Sequence, residues 1–592
     1  MGKSVFLPFV IIKLVFIYTE RHMMKHLISA LFLSCNLACL AVQEITIIPK
    51  PVEMHQGKGS FQLNPQTIIT YQTTLRPQAE YLQEVIAAST GWDLKITEGK
   101  PVSGSIHLAQ NTSSGQAEAY NLVVKPERIH IEGTDAGGVF YGIQTLLQLF
   151  PSEIYSATRQ KNVQWKAPAI TISDAPSHPW RGMMLDVARY FYDKDFVKKY
   201  IDMMAMYKMN KLQFHLIDDS GWRLEIKKYP KLTEIGAWAG KDQNRLGGYY
   251  TQEDIKEIIA YADERGIMVV PEIDFPAHCA AAIAAYPWLA CRELNRDVPG
   301  YFGGAIPQRK LKQYDWNRPI CPGKDRTVEF VKDVINEVCD LFSAPYFHIG
   351  GDEAPKVEWK KCPCCQKRIE DNNLKDEEDL QGWFNNQVLE TVSAKGKRLI
   401  GWNEILKAQS LDKSTVCQYW TPQKDSRARD WANNGNSVIL SNHQSFYFDM
   451  PYAKYSLKNT YDYSYKSFKI KPEREKNILG VEAENWTEWT DCPEKLEVFM
   501  YPRTQALAEV AWSPEDKRSF DSFMARLENF KPYFEYLGMS YAVNSVAMPK
   551  KWLLKLKIKK EFSFGDTHLE VKLNKKYIML PLLSINWDPN PE

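Results

Sequence analysis

Residues 325–353 read DRTVEFVKDVINEVCDLFSAPYFHIGGDE, and this one stretch contains the unit that predicts the fold. Apolar residues recur at helical spacing through residues 325–342, which predicts an amphipathic helix. A short buried-type strand, YFHIGG, follows, and two carboxylates, Asp352 and Glu353, stand where it ends. An amphipathic helix followed by a short apolar strand is the repeating unit of a parallel α/β fold.

The same unit repeats on both sides of this stretch. Eight short apolar runs can be read between residues 181 and 486: RGMMLDVAR, KLQFHLID, IMVVPEID, YFHIGGDE, RLIGWNE, STVCQYW, SVILSNH and ILGVEAENW. Helical segments such as DFVKKYIDMMAMYKMN, TQEDIKEIIAYADERG and LQGWFNNQVLETVSAKG separate most of them. Polar and aromatic residues crowd the carboxyl end of each run, as Asp186 and Arg189 do in the first. Eight strands alternating with helices predict a (β/α)8 TIM barrel, whose active site lies at that end.

The flanking sequence predicts two further parts. Residues 44–172 contain AYNLVVKPERIHIEG, which reads as two strands around a turn, and then the helical segment GVFYGIQTLLQLF, so a small α+β domain is expected ahead of the barrel. The proline-rich SDAPSHPW marks the boundary, and the barrel domain is assigned to residues 176–535. Residues 540–592 alternate with period two in KLKIKKEFSF and THLEVKLNKK, which predicts a short β-rich tail with a solvated lysine face.

The first 43 residues are interpreted as a signal region. A short basic segment precedes an apolar run that ends in small residues, and the true start is expected at Met23 or Met24. The apolar runs are too short for an integral membrane span. We therefore expect an exported protein, periplasmic or secreted, and lipid attachment at Cys35 or Cys39 remains open as the alternative.

The composition excludes several classes of protein. Lys and Arg number 74 against 72 Asp and Glu, so the net charge is +2, and 44% of residues are hydrophobic. A nucleic-acid-binding protein normally has a basic surplus, and a disordered chain has few apolar residues. The 17 Trp and 30 Tyr combine apolar faces with polar edges, which suits an amphipathic ligand as well as a large core.

The cysteines give a weaker signal. The chain has 11, of which two lie in the signal region, so the odd remainder cannot all pair within one chain. Cys362 and Cys365 form a C-x-x-C, which is half of a zinc-binding knuckle. No second half stands at a fitting spacing, and export favours a small disulfide or free thiols. We therefore assign this segment no metal and no catalytic role.

The motif HIGGDEAP, residues 348–355, carries the sharpest chemistry. Its glycines allow the backbone to approach a ligand closely. Consecutive side chains of a strand point to opposite faces, so Asp352 and Glu353 are not expected to flank one bond as a matched pair. One of them is expected to act as a general acid while the other orients a different group. The structural alternative is that both carboxylates cap the following helix.

Tryptophans stand at the ends of later strands, namely Trp402, Trp420, Trp486 and Trp489. If they converge at the barrel mouth, they form a box of aromatic faces suited to the C–H side of a sugar ring. The alternative is that they only cover the top of the barrel. Arg181, at the start of the first run, is expected either to bind hydroxyls or to pair with a carboxylate.

Taken together, these motifs resemble the β-N-acetylhexosaminidases of glycoside hydrolase family 20. The resemblance rests on HIGGDEAP, RGMMLDVARYF, FHLIDDSGWR, VVPEIDFPAH, LIGWNEIL, QYW, YFD and VEAENWTEW, in the order that is typical of the family. The α+β segment is similar to the domain that precedes the barrel there, so the resemblance covers about residues 44–530. One departure is Asn403, where an acidic residue is more usual, and it affects no catalytic group.

The resemblance implies an exo-acting, retaining hydrolase that releases terminal N-acetylglucosamine or N-acetylgalactosamine from glycans. The substrate's own acetamido group would be the nucleophile and would form an oxazolinium intermediate. Glu353 would be the general acid/base, Asp352 would hold the acetamido N–H, and Tyr447 would bind its carbonyl. The remaining implied roles are an aromatic box of Trp402, Trp420 and Trp486, hydroxyl binding by Arg181, Asp449 and Glu488, and tuning of Glu353 by His278 and Asp218.

No cofactor and no metal is implied, and the expected partner is a glycan with a terminal β-linked N-acetylhexosamine rather than a nucleic acid. Residues 293–316 are expected to shape leaving-group specificity. Two other classes of function remain open. A metal-dependent barrel lyase or isomerase would use Asp218, Asp274 and Asp352 as ligands of a divalent ion. A non-catalytic sugar-binding protein would keep the aromatic box without the chemistry. The sequence does not select between the gluco and galacto sugars.

Overall fold

The computed structural model describes residues 45–112, 115–239, 246–293, 295–299, 318–421, 426–548, 568–573 and 576–581. The signal region of residues 1–43, the tail segment KLKIKKEFSF and most of residues 293–316 therefore lie outside the described residues. Within the described ranges, no helix combines the length and the apolar character needed to cross a bilayer.

The first domain is a seven-stranded mixed sheet that packs against helices. In chain order its strands are Glu53–Gln62, Ile68–Tyr71, Lys95–Glu98, Ser105–Gln110, Tyr120–Lys125, Arg128–Gly133 and Lys166–Asp174, and they lie in the spatial order 1-7-5-6-4-2-3. Its two α-helices are Arg76–Thr90 and Ala136–Leu147. The predicted pair of strands is present as the antiparallel hairpin that joins Tyr120–Lys125 to Arg128–Gly133.

The second part is a closed barrel of eight parallel strands. In chain order they are Trp180–Asp186, Lys211–His215, Met268–Glu272, Tyr346–His348, Arg398–Trp402, Val416–Tyr419, Val438–Leu440 and Ile478–Asn485. The eighth strand pairs in parallel with the first and closes the barrel. Each predicted apolar run contains one strand of the barrel, so the predicted (β/α)8 barrel, preceded by an α+β domain, is confirmed.

Helices follow most of the barrel strands, as the periodicity predicts. The longer ones are Lys194–Met206, Gln252–Asp263, Asp325–Leu341, Glu377–Ala394, Arg427–Asn433, Pro493–Met500 and Arg503–Trp512. In the helix Asp325–Leu341, the residues that recur at helical spacing, Val328, Val331, Ile335 and Val338, form the buried face. The fifth strand is the exception, because a short 3-10 segment, Asn403–Lys407, follows it directly.

Short elements decorate this framework. Two-residue strands occur at Ile217–Asp218, Gly221–Trp222, Trp238–Ala239 and Leu246–Gly247, and short helices occur at Lys231–Glu234, Ala280–Ala285, Val357–Lys361, Pro363–Asp371, His443–Phe446 and Leu457–Tyr461. Helices Phe520–Glu528, Lys531–Tyr536 and Asn544–Ala547 follow the barrel. The strands His568–Leu573 and Lys576–Pro581 form an antiparallel hairpin that contains most of the tail segment THLEVKLNKK.

The two ends of the barrel differ in chemistry. An apolar cluster that includes Trp180, Val270, Ile400, Val416 and Ile439 fills the interior near the strand starts. Polar and aromatic side chains gather at the carboxyl ends of the strands instead. The barrel is therefore packed at one end and offers its chemistry at the other, as TIM barrels do.

Arg181 lies at the packed end, which contradicts the expectation that it binds substrate hydroxyls. It is fully buried at the start of the first strand, where its Nη1 lies 2.7 Å from Glu118 Oε2 of the first domain. Its Nε donates to the carbonyl of Lys208 at 2.7 Å, and its Nη2 donates to the hydroxyl of Tyr141 at 3.0 Å. The alternative of pairing with a carboxylate is the one observed, and Arg181 joins the two domains.

Candidate active site

The loop after the fourth barrel strand holds the two central carboxylates. The strand ends at His348, so Asp352 and Glu353 stand in the loop and the expected strand alternation does not apply to them. The backbone separates them instead, because Glu353 adopts a left-handed φ of 45°. Asp352 is buried, whereas the side chain of Glu353 is 57% exposed. The two carboxylates therefore occupy different environments, and different environments suit different roles.

Glycine is required in this loop. Gly350 and Gly351 have φ values of 68° and 91°, which favour glycine. A Cβ on Gly350 would overlap the carboxylate of Asp274, and the backbone N–H of Gly351 donates to Asp274 Oδ1 at 3.1 Å. Burial and the neighbouring Asp352 raise the pKa of Asp274 well above its usual range. The loop is therefore held against the end of the third strand.

His278 lies between the carboxylates of the site. Its Nδ1 is 3.5 Å from Asp218 Oδ1, and its Nε2 is 3.8 Å from both Asp352 Oδ2 and Glu353 Oε2. Burial alone would lower the pKa of His278, but Asp218, Asp219 and Asp352 outweigh it and raise that pKa well above its usual range. The structure thus brings together His278, Asp218 and Glu353, and it places a cationic imidazole beside the two central carboxylates.

Glu353 has the electrostatics of a proton donor. Partial burial and the adjacent Asp352 raise the pKa of its carboxyl, and His278 offsets part of that rise. A carboxyl whose pKa is raised stays protonated closer to neutral pH, which is the requirement for a general acid.

An aromatic cluster stands beside Asp352. Trp402, Tyr447 and Trp486 are buried together with Met184, and Trp420 and Met450 pack against them. The ring centroids of Trp402 and Trp486 are 6.0 Å apart, and the ring of Trp420 stacks on that of Tyr447 at 5.7 Å. The structure therefore brings together the three tryptophans and the tyrosine that the sequence predicts. Trp489 is outside this cluster.

Carboxylates fix the orientation of two of these indoles. The Trp402 indole N–H donates to Glu272 Oε1 at 3.0 Å, and the Trp420 indole N–H donates to Glu404 Oε2 at 2.9 Å. Burial and Asp352 raise the pKa of Glu404 to about 7. The sequence interpretation missed Met184, which lies in the cluster, as well as the role of Glu404. The position of Glu404, two residues after Trp402 at the end of a strand, was the only signal in the sequence that could have indicated this role.

Three buried carboxylate oxygens of the site have no hydrogen-bond partner among the described residues. They are Asp352 Oδ1, Asp449 Oδ1 and Glu488 Oε2. A buried acceptor without a donor is costly, so such atoms indicate where a ligand supplies N–H or O–H groups. Burial and Glu488 raise the pKa of Asp449, and burial also raises that of Glu488. The site is therefore built to receive several hydrogen-bond donors.

Arg189 lies in this site, whereas the sequence-based expectation was Arg181. Arg189 Nη2 lies 2.8 Å from Asp218 and 3.9 Å from Glu488, and its guanidinium stands 4.7 Å from the centre of the Trp486 ring. Its position after the carboxyl end of the first strand was the signal that could have identified it, because Arg181 stands at the opposite end of that strand.

The carboxylates of the metal-dependent alternative do not form one ligand set. Asp218 Oδ2 is engaged by Arg189 at 2.8 Å and by His215 Nε2 at 3.1 Å. Burial opposes ionisation of Asp218, but Arg189, His278 and His215 hold its pKa well below the usual range. Among the described residues, Asp274 and Asp352 share a compact group with His278, and Asp218 belongs to a different group. The arrangement matches a charge-balanced network around the carboxylates.

The sequence matches two models of one enzyme family. The model described as glycosyl hydrolase family 20, catalytic domain, matches residues 178–515, and the model described as domain 2 of the same family matches residues 44–175. A β-hexosaminidase of Porphyromonas gingivalis is 37% identical over 518 residues, which are 84% of this chain and 64% of that protein. The match thus spans less than two thirds of the length of this relative.

Solved structures are similar over most of the chain. An exo-β-N-acetylglucosaminidase of Vibrio harveyi, determined in complex with N-acetylglucosamine, has a TM-score of 0.74 and 31% identity, covering 84% of this chain and 78% of its own. A β-N-acetylhexosaminidase of Bacteroides fragilis has a TM-score of 0.72 and 32% identity, covering 85% of this chain and 99% of its own.

Proposed function

Because this chain belongs to glycosyl hydrolase family 20, we propose that it is an exo-acting, retaining β-N-acetylhexosaminidase that removes terminal N-acetylglucosamine or N-acetylgalactosamine from glycans. The observation that carries the proposal is Asp352 Oδ1, a buried carboxylate oxygen without a partner among the described residues, beside an aromatic box and next to a carboxyl with a raised pKa. An acetamido group has an N–H for this oxygen and a methyl group for the box.

The chemistry follows from these positions. Glu353 donates its proton to the leaving glycosidic oxygen while the acetamido carbonyl oxygen attacks the anomeric carbon. Asp352 accepts the acetamido N–H and stabilises the positive charge that develops on the oxazolinium ring, and the Tyr447 hydroxyl donates to the carbonyl oxygen. Glu353, now ionised, then takes a proton from water as the water opens the ring. The configuration at the anomeric carbon is retained because it is inverted twice.

The sugar is bound at its non-reducing end. Asp449 Oδ1 and Glu488 Oε2, which have no partner among the described residues, accept hydrogen bonds from sugar hydroxyls, and Arg189 lies 3.9 Å from Glu488 in the same network. The aromatic faces of the box cover the C–H side of the ring and the acetamido methyl. A site that closes on the terminal sugar in this way favours exo cleavage.

The decisive experiment compares the full-length enzyme with Glu353→Gln on an aryl N-acetyl-β-glucosaminide. The substitution keeps the size of the side chain and removes its transferable proton, so kcat is expected to fall by about 10²–10⁴-fold. Glu370→Gln, in an exposed part of the helix Pro363–Asp371, is the control and should leave kcat unchanged. Equal hydrolysis of the plain β-glucoside would contradict acetamido participation, and potent inhibition by a thiazoline mimic of the bicyclic intermediate would support it.

We also propose that the protein is exported to the periplasm or the medium, with lipid anchoring as the alternative outcome. The support is the basic and apolar pattern that begins at Met23 or Met24. Fractionation of the native host, together with N-terminal sequencing of the purified enzyme, tests this. A mature amino terminus near residue 42 in a soluble fraction supports cleavage, and a lipid-modified Cys35 or Cys39 supports anchoring. Retention of the intact segment in the cytoplasm would contradict export.

A further inference from the structure

Four cysteines from three segments meet on the outside of the barrel. Cys291 follows the turn Pro287–Leu289, Cys321 precedes the helix Asp325–Leu341, and Cys362 and Cys365 belong to the C-x-x-C motif at the start of the helix Pro363–Asp371. Their four sulfur atoms all lie within 4.8 Å of one another. Cys291 and Cys321 thus stand where the second half of a zinc knuckle would be. Sequence spacing did not identify them, because both lie far from Cys362 along the chain.

Three of the sulfur separations are close to the edges of a tetrahedral zinc–thiolate site. The Sγ–Sγ distances are 3.5 Å for Cys321–Cys365, 3.7 Å for Cys321–Cys362 and 3.8 Å for Cys291–Cys365. A zinc ion bound to four thiolates at about 2.3 Å requires tetrahedral edges of about 3.8 Å. A disulfide would instead bring two sulfurs to about 2.05 Å. Cys321 and Cys365 each have two nearly equidistant sulfur neighbours, which is the pattern of a shared centre.

The surroundings are those of a closed structural site. Cys321, Cys362 and Cys365 are buried with Trp359 and Leu380, and Ile369 and Trp383 pack against them. These apolar side chains shield the three buried sulfurs from water, and Cys291 is half-buried at the edge of the cluster. Gly323 approaches the backbone of Cys364 and Cys365 so closely that a Cβ there would overlap it. The backbone around the cluster is therefore shaped to bring Cys321 against the C-x-x-C motif.

The start of the helix Pro363–Asp371 favours ionised thiols. Cys362 is the N-cap residue of this helix and Cys365 lies in its first turn, where the positive end of the helix dipole stabilises thiolates. The thiolate is the form of cysteine that binds a metal.

We propose that Cys291, Cys321, Cys362 and Cys365 bind one structural zinc ion. All four coordination positions come from the protein, so the ion binds no substrate and takes no part in the glycosidase chemistry. Cys291 and Cys321 lie between the third and fourth barrel strands, and Cys362 and Cys365 lie in the segment that follows Glu353. The ion would therefore join these segments to one another. Two contacts link the same segments, namely the Arg292–Glu358 ion pair at 2.9 Å and the bond from the Trp359 indole N–H to the carbonyl of Ile320 at 3.0 Å.

The first test is elemental analysis of the full-length protein, purified without chelator from cells supplied with zinc. One zinc per chain is expected. Replacement of zinc by Co²⁺ should give the intense visible absorption of tetrahedral cobalt thiolate. Absence of zinc together with two disulfides in the mass spectrum would overturn the proposal, and one equivalent of iron would overturn the assignment to zinc.

Paired variants locate the site. Cys365→Ser removes a ligand and should lower the bound zinc to a small fraction of one per chain. Cys364→Ser is the matched control, because Cys364 is one position away in the same helix but exposed and outside the cluster. Equal zinc in both variants would overturn the proposal. If Cys365→Ser does not fold, the cobalt spectra of the parent and of Cys364→Ser decide, and both should show the tetrathiolate bands. None of these readouts depends on glycosidase activity.

Discussion

The guanidinium of Arg189 stands among the carboxylates of the candidate site. It contacts Asp186 at 3.3 Å and Asp218 at 2.8 Å, and it lies over the Trp486 ring. Lysine keeps the charge but cannot present two parallel N–H donors, so Arg189→Lys is not a conservative change here. We expect kcat/KM to fall about 10- to 100-fold, the cost of about 1.5–3 kcal/mol for a hydrogen bond to a charged group. Steady-state kinetics on the aryl substrate measures this loss.

The control for Arg189→Lys is Arg265→Lys. Arg265 also pairs with a carboxylate, Asp202, at 2.6 Å, and it lies over an aromatic ring, but it stands in the turn after the outer helix Gln252–Asp263. Its replacement should leave kcat/KM unchanged. Equal losses in the two variants, or none in Arg189→Lys, would exclude a role for Arg189 in the site.

His278 makes a second prediction at the same scale. Its positive charge lowers the pKa of Glu353, so His278→Gln should raise that pKa. A general acid loses activity as the pH rises through its pKa, and the alkaline limb of the kcat/KM profile should therefore move to higher pH. A purely structural role would lower kcat/KM at every pH without moving this limb. His130→Gln, on the sheet of the first domain, is the control and should leave the profile in place.

At the scale of elements, the loop after the fourth strand makes the most specific demand on sequence. Gly350 combines a φ of 68° with contact against Asp274, whereas Gly396 has a φ of 71° and nothing within 4 Å of the position of a Cβ. Alanine at either position costs about 1 kcal/mol of backbone strain, because both positions have a left-handed φ. Only Gly350→Ala must also displace the loop that carries Asp352 and Glu353. We expect it to lower kcat by about 10²-fold or more, since small displacements of catalytic groups have such costs.

The measurement for this pair is kcat together with the melting temperature. Gly396→Ala should have a slightly lower melting temperature than the parent protein and the same kcat. If Gly350→Ala retained the kcat of Gly396→Ala, the close approach of this loop to Asp274 would have no catalytic consequence.

The elements also show which parts of the site a sequence can predict. Every barrel strand was predictable because each is a short apolar run, and Trp402, Trp420 and Trp486 were placed correctly because they follow such runs. The direction of the Glu353 side chain was not predictable from strand alternation, because the strand ends at His348 before Glu353 is reached. The left-handed backbone conformation of Glu353 is instead a property of the loop. The cysteine cluster was hidden for another reason, because its sulfurs meet only through the packing of separate segments.

At the scale of the whole molecule, the first domain and the barrel share buried charges. Asp174 of the last sheet strand accepts from the Tyr120 hydroxyl at 2.7 Å and from the Trp512 indole at 3.0 Å, and Lys208 Nζ lies 3.1 Å from it. Arg181 and Glu118 form a second ion pair between the two domains. The contact that these two ion pairs make between the first domain and the barrel is called the joint. Buried charges are tolerated only with their partners, so each domain needs the other to stay folded. We therefore expect one cooperative unfolding transition for both.

The joint gives the last prediction, which concerns Arg181→Met. The substitution keeps most of the side-chain volume but leaves Glu118, whose side chain is 23% exposed, without its guanidinium. We expect a loss of roughly 3 kcal/mol in the free energy of unfolding, the lower end of the range for a broken buried pair, because some solvent reaches Glu118. The folded fraction should keep the kcat/KM of the parent, since Arg181 lies at the packed end of the barrel. Arg128→Met, at an exposed position of the first domain, should change neither quantity. Urea unfolding with kinetics in the same buffer measures both. A stable Arg181→Met variant with a raised KM would place Arg181 in substrate binding and contradict the assignment of this residue to the joint.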